Sequence, residues 1–193
     1  MARRTDQGRI INLEDATMQM VVEKGYASAS VSEIARQAGV SAGYLYRHHL
    51  NKEELVRSIY DKYVKVFDNH IDMLLDESDD LRSAIYGYVS FMFRNANENP
   101  RLAKFLHLLV YEPKFDIPKL RMKATRDQCV KMLIKGIKSG EVRTDMTPED
   151  MYIIFFSIPF KLLEVRMEGS MKKGLFSEAD TLRVTDLCMR AAG

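Results

Sequence analysis

Residues 30–48 read Ser30-Val31-Ser32-Glu33-Ile34-Ala35-Arg36-Gln37-Ala38-Gly39-Val40-Ser41-Ala42-Gly43-Tyr44-Leu45-Tyr46-Arg47-His48, and this run decides the fold. Ser30 stands three residues before Glu33, the spacing at which a hydroxyl caps a helix and a carboxylate answers it. Ile34 and Ala35 face inward on the short helix that follows. Gly39 then makes a sharp turn, because a left-handed backbone carries little penalty only for glycine. Val40 fills the corner and Ser41 caps a third helix. Two helices joined by a three- to four-residue turn with glycine form a helix-turn-helix, whose second helix enters the major groove of DNA. That helix suits the task. Ala42 and Gly43 are small enough for close approach, Tyr44 and Tyr46 carry hydroxyl tips on aromatic bodies, and Arg47 and His48 supply donors. Lys52 opens the next helix, whose N-terminus also favours an anion, so a phosphate is its expected partner.

Outward from this run the chain reads as helices. Leu55, Ile59, Tyr63, Phe67, Ile71 and Leu74 form one stripe at steps of four and three. No segment alternates for the length of a strand. Capping pairs recur at Asn51…Glu54, Thr147…Asp150 and Ser177…Asp180, and Pro100 and Pro148 occupy first helical positions. The spacing predicts nine helices, near 6–24, 30–38, 42–48, 51–76, 79–97, 100–110, 118–139, 148–168 and 178–191. Short loops make this an all-α bundle. It divides into residues 1–50, the helix-turn-helix domain, and 51–193, a larger helical domain.

Composition narrows the class. Twenty-nine basic residues against 27 acidic give a net charge of +2, which excludes a polycationic tail but not a local basic face. Cys129 and Cys188 lie far apart and no histidine has ligand spacing to either, so no metal, disulfide or cofactor is expected. The start Met-Ala-Arg-Arg has no apolar stretch behind it, and the longest apolar run, Met151 to Phe160, is too short for a membrane span. A cytoplasmic protein without a membrane partner is expected. No metalloprotease, phosphate-loop, dinucleotide or nucleophile-elbow motif is present, so no enzyme is expected either.

Residues 10–57 resemble the DNA-binding domain of the TetR (tetracycline-repressor-like) family. The likeness rests on Ala16, Glu23, Gly25, Tyr26, Ser30, Val31, Ile34, Ala35, Ala38, Gly39, Val40, Ser41, Gly43, Leu45, Tyr46, His48, Lys52, Glu53 and Leu55, all in register. It implies phosphate contacts from Ser30, Tyr46 and Lys52, with the helix face of Ala42, Gly43, Tyr44 and His48 against DNA. Arg47 falls where the family varies and reads a base or a phosphate. Arg3 and Arg4 are candidates for a minor-groove arm. Two departures matter: His49 stands where the family has a core Phe, and Val21 where its first helix has Phe. Either Leu50 takes over part of that packing, or His49 is partly buried and titrates near neutrality. The plainer reading, a tolerated polar rim residue, is the expectation.

The resemblance further implies an effector-responsive repressor that binds a palindromic double-stranded DNA operator as a homodimer and releases it on binding a small molecule. Helices 148–168 and 178–191 would pair with a second subunit. Ile153, Phe156, Phe160, Leu163 and Met167 form one stripe, and Leu182, Leu187 and Met189 add apolar surface. Candidate effector-lining residues are Tyr63, Phe67, Phe91, Met92, Phe105, His107, Met132 and Phe155. Pro159 interrupts the eighth helix and should free the carbonyl of Phe155. On the seventh helix Lys119, Lys123 and Arg126 share a face with Val130, Leu133 and Ile137. They either overhang into water or point inward toward an anionic effector. The alternative to a repressor is a ligand-independent architectural DNA-binding protein.

Overall fold

A computed structural model describes residues 2–117 and 119–193, with side chains over 6–117 and 121–193. The side chains of Arg3, Arg4 and Lys119 therefore lie outside the described residues. The described residues form helices and turns only. These are α1 (Ala2–Lys24), α2 (Val31–Gln37), α3 (Ala42–His48), α4 (Lys52–Glu77), α5 (Leu81–Glu98), α6 (Pro100–Val110) and α7 (Lys119–Ser139). Next comes α8, a continuous helix built from Pro148–Tyr152, a π-helical turn Ile153–Ser157, and Ile158–Glu168. The chain ends in α9 (Glu178–Ala192). No helix among the described residues is long and apolar enough to cross a membrane.

The capping pairs in the sequence set these boundaries. Ser30 accepts from Glu33 N at 3.3 Å, Ser41 from Tyr44 N at 3.1 Å and Asn51 from Glu54 N at 2.8 Å. Thr147 with Asp150, and Ser177 with Asp180, close reciprocal capping boxes. Gly39 turns with φ +68°, the left-handed conformation its place between α2 and α3 demands.

The chain forms two compact units, Met1–Lys65 with Arg101–Asp116, and Val66–Pro100 with Ile117–Gly193. They divide α4 rather than starting at it, and they place nearly all of α6 with the helix-turn-helix. The core of the first unit is built from Leu13, Val21, Ile34, Leu45, Leu55, Val56, Ile59 and Phe105, each at most 2% exposed. In the second, Leu81, Ile85, Val89, Phe93, Met132, Met151, Phe155 and Cys188 are equally buried.

In the second unit α7 runs in the same direction as the end of α4, joined by a polar ladder. Arg121 Nη1 meets both Asp68 carboxylate oxygens at 2.5 and 2.6 Å. Lys131 pairs with Asp72 at 3.1 Å and Asp76 at 3.8 Å, and Lys135 donates to the Ser78 carbonyl. The ladder fixes the rotation of α7 and corrects the sequence reading. Gln128, Cys129, Met132 and Gly136 face the core, while Ile134 and Ile137 are exposed. Lys123 and Arg126 stand in solvent. The cations turned toward the end of α4 are instead Arg121, Lys131 and Lys135.

The π turn in α8 revises the expectation for Pro159. Ile158 N bonds Ile153 O, five residues back. In that register the N–H missing from Pro159 would have served Ile154 O, and the buried Cys188 thiol donates to this carbonyl instead, at 3.2 Å. Two residues assigned to the outward apolar stripe, Leu163 and Met189, are buried within the chain's own core. Tyr152, Ile153, Leu182 and Leu187 remain 46–52% exposed.

The connection from α8 to α9 is held by one buried ion pair. Arg166 Nη2 donates to Asp180 Oδ1 at 2.8 Å, and its Nη1 reaches the Leu175 carbonyl at 3.1 Å. Both side chains are at most 7% exposed. The Phe176 ring lies under the guanidinium and stacks on Phe93 at 4.2 Å. Asn97 exchanges two hydrogen bonds with the Phe176 backbone. Bonding to Arg166, opposed by burial and helped by the Ser177 donors, holds the Asp180 carboxyl below the usual carboxylate range. Removing one member of such a pair strands the other, so Arg166→Ala should lower unfolding free energy by about 3–5 kcal/mol in a urea titration. A depressed carboxylate stabilises the fold above its unfolded pKa of about 4 and loses that contribution on acidification. Asp180→Asn should therefore flatten the loss of stability below that pH.

Candidate DNA-binding face

The α3 helix has only two turns, so its two faces do different work. Leu45 and Tyr44 point inward, at 0% and 5% exposure. Tyr44 is thus not the groove-facing group the sequence suggests. Its hydroxyl donates to Asp6 Oδ1 at 2.7 Å, and its ring lies beneath the side chains around it. The Arg9 and Arg47 guanidinium carbons stand 5.8 and 5.9 Å from the ring centroid, and the His48 ring is 4.7 Å away. Burial and the Asp6 carboxylate both push the phenol pKa up, so Tyr44 stays neutral. Tyr44 works as a platform for Arg47 and His48.

The outer face carries Gly43, Tyr46, Arg47 and His48, all exposed, with Ala42 half-buried at its edge. Tyr46 is 55% exposed and does not pack into the core. A Cβ on Gly43 would meet only Ser41 Oγ, at 3.8 Å, so nothing inside the chain requires glycine there. Ser30 and Ser41, both exposed, cap α2 and α3 with their hydroxyls.

Lys52 is more constrained than its sequence position suggests. Its ammonium donates to the Tyr26 carbonyl at 2.7 Å and the Ala27 carbonyl at 3.2 Å, 4.8 Å from the Tyr26 ring centroid. Burial pulls its pKa below the ordinary lysine value. Two of three ammonium donors are thus engaged, which fixes the third in direction. Tyr26 as the seat of this lysine was not legible in the sequence, because the contact spans 26 positions.

His49 closes α3, its N–H bonding Leu45 O at 2.9 Å, and its ring is half-buried. Leu50 does not take over the missing aromatic packing: it is 81% exposed. Its backbone N–H is held by Glu54, which turns the side chain outward. Burial lowers the His49 pKa, with Glu54 opposing.

The eight candidate effector residues divide between the units. Tyr63, Phe105 and His107 belong to the first; Phe67, Phe91, Met92, Met132 and Phe155 belong to the second. Phe105, Met132 and Phe155 are fully buried core. Phe67 and Phe91 meet edge to face at 5.3 Å, and His70, which is not one of the eight, stacks on Phe91 at 3.9 Å. None of the eight lines an open groove of about 470 Å³ formed by Leu75, Asp76, Asp79, Lys131, Ile134, Lys135, Lys138 and Ser139.

Residues 13–59 match the family described as "Bacterial regulatory proteins, tetR family". The helix-turn-helix segment is thus of the tetR kind. Its relatives include the "Fatty acid metabolism regulator protein" of Bacillus subtilis, 25% identical over 70% of this chain and 71% of that protein. The "HTH-type transcriptional repressor KstR2" of Mycolicibacterium smegmatis is 22% identical over 69% of this chain and 67% of that one. The same fold is seen in the transcriptional regulator FadR from Bacillus subtilis, solved in complex with stearoyl-CoA. It has a TM-score of 0.77 and 22% identity over 95% of this chain and 99% of that chain. Residues 13–59 accordingly carry a helix-turn-helix of the kind found in bacterial regulatory proteins, and the chain as a whole shares the fold of such regulators.

Two substitutions test the local geometry. Tyr44→Phe should cost about 0.5–1.5 kcal/mol in thermal unfolding, the worth of one hydrogen bond, with base preference unchanged. His49→Phe should stabilise by about 1 kcal/mol at neutral pH through added apolar burial. A histidine with depressed pKa contributes stability above its unfolded pKa of about 6.5 and loses it as pH falls, so this variant should also lose that part of the acid sensitivity.

Proposed function

We propose that this protein is an effector-responsive repressor that binds a palindromic operator as a homodimer and releases it when a small molecule binds the larger unit. The observation that carries this reading is the outer face of α3. Gly43, Tyr46, Arg47 and His48 are exposed on a helix whose other side is fully committed to the core. A glycine with no internal reason to be small suits close approach to a base step. In this reading Arg47 reads a base edge and Ser30, Ser41, Tyr46 and Lys52 meet phosphates, with Ala42, Gly43 and His48 completing the contact.

The dimer is supported by Tyr152, Ile153, Leu182 and Leu187, apolar side chains on α8 and α9 that the chain leaves in water. Two reading helices must stand about 34–36 Å apart, or a multiple of that, to meet both halves of a palindrome. Release then needs only that effector and operator favour different dimer shapes, with a coupling of about 1–3 kcal/mol. The names of the relatives, fatty-acid regulators and a stearoyl-CoA complex among them, support a long-chain acyl compound as the effector. The protein would act in the cytoplasm, where its DNA is.

Selection of bound duplexes from a random pool at fixed salt should return an inverted repeat, and long-chain acyl-CoA should release it where a sterol does not. Arg47→Ala should relax preference at one position of each half-site by about 1–3 kcal/mol, while Tyr46→Ala should weaken all sequences alike. Ile153→Glu with Leu187→Glu should sediment as a folded monomer and lose operator binding. A folded double variant that stays dimeric would refute the assigned interface.

A further inference from the structure

The six residues after α6, Tyr111-Glu112-Pro113-Lys114-Phe115-Asp116, belong to the same compact unit as the helix-turn-helix. The segment is a tight turn: Phe115 N bonds Glu112 O at 2.9 Å and Lys114 N bonds Glu112 Oε1 at 3.0 Å. Lys114 and Asp116 are exposed, yet Phe115 between them is only 4% exposed. A fully inserted ring in an otherwise solvated loop is an anchor, and what it is anchored to is specific. Tyr26 meets its ring edge-on at 5.7 Å and Tyr60 at 5.2 Å. The Arg57 guanidinium covers it at 5.5 Å and donates to the Asp116 carbonyl at 2.8 Å. The same guanidinium pairs with Glu53 at 2.9 Å, in the first turn of α4. The Tyr26 ring also carries the Lys52 ammonium, 4.8 Å from its centroid.

We propose that Phe115 is a positioning residue for DNA binding: it holds the Tyr26 ring on which the Lys52 ammonium sits, and through Arg57 it fixes the first turn of α4. The proposal rests on the reading of Lys52 as a phosphate contact. Lys52 has two donors committed to the Tyr26 and Ala27 carbonyls, so the direction of its remaining donor is set by where residues 26 and 27 lie. Those residues sit in the turn between α1 and α2, and the ring of Tyr26 is braced from behind by Phe115. Glu112 adds an attractive charge toward Lys52 from the same turn, and Lys114 a repulsive one. The turn at 111–116 therefore acts on the DNA-facing lysine through packing and charge together, without touching DNA.

Affinity for the selected operator is measured across a salt series for Phe115→Leu, Phe115→Tyr, Lys52→Gln, Arg57→Met and the Phe115→Leu/Lys52→Gln pair, each shown folded by circular dichroism. Phe115→Leu keeps an apolar group but removes the ring edge. It should bind about fivefold more weakly and lower the salt slope by about 1 per subunit, as Lys52→Gln does, because one phosphate contact per subunit is lost. The double variant should be no weaker than Lys52→Gln alone, and Phe115→Tyr should restore affinity and slope. If Phe115→Leu fails to fold, Arg57→Met must show the reduced slope. A Phe115→Leu protein with native slope, or one whose loss adds to that of Lys52→Gln, overturns the positioning role while leaving the phosphate contact standing. A Lys52→Gln protein that binds like the parent overturns the phosphate contact itself.

Discussion

A seven-residue helix cannot hold itself together in water, and that constraint shapes the DNA-binding unit. Nucleating one helical turn is unfavourable, and α3 has only two turns in which to recover the cost. It exists because Leu45 and Tyr44 are buried and because Ser41 satisfies an orphan N–H at its start. Burial uses one side of the helix completely, so only the opposite side is left for DNA. The division between Tyr44 and Tyr46 follows directly: two positions apart on a helix, they face different ways, and only one can be outside. The interior tyrosine still matters to the outer face, since Arg47 and His48 sit over its ring.

The local part of this logic was legible in the sequence. All four capping pairs and the Gly39 turn depend on residues within a few positions of one another, so spacing alone reveals them. The periodicity of α4 likewise put Leu55, Ile59 and Ile71 in the core. What spacing could not reveal was which member of a half-apolar face turns inward when a neighbouring helix has its own demands. On α7 the inward face is set by Arg121, Lys131 and Lys135 reaching residues more than 50 positions earlier, which rotates the helix away from its apparent apolar stripe. Tyr44 turns inward for the same reason. Its partner Asp6 lies 38 positions earlier on α1, and the seat of Lys52 on the Tyr26 carbonyl lies 26 positions earlier, beyond the reach of spacing.

The larger unit shows how a proline is accommodated without breaking a helix. Pro159 removes one N–H, and the turn before it widens so that the unserved carbonyl becomes that of Ile154, within reach of the Cys188 thiol on α9. A buried thiol is a weak donor, and burial raises its pKa to about 12, so it stays protonated and keeps its hydrogen available. The same α8–α9 pair is tied by Arg166 and Asp180 at its other end. Helices fixed to each other at two places present their remaining apolar side chains, Tyr152, Ile153, Leu182 and Leu187, on a stiff surface, which suits a permanent contact better than a transient one.

Charge arrangement explains how a chain of net +2 presents a cationic face. Residues 1–57 hold eight Lys and Arg against seven Asp and Glu. Acids on α1 are answered from within the unit: Glu14 by Lys62 at 2.6 Å and Asp15 by Arg101 at 2.7 Å. Glu33 is held by Lys24 and Glu53 by Arg57, while Asp6 accepts from Tyr44. Arg9 and Arg47 have no carboxylate partner among the described residues, and both stand over the Tyr44 ring. Paired charges a few ångströms apart cancel beyond roughly 8–10 Å at physiological salt, so an approaching polyanion meets the unpaired ones. Lys62 and Arg101, remote from α3, thereby shape the field at α3 by neutralising what would otherwise oppose it.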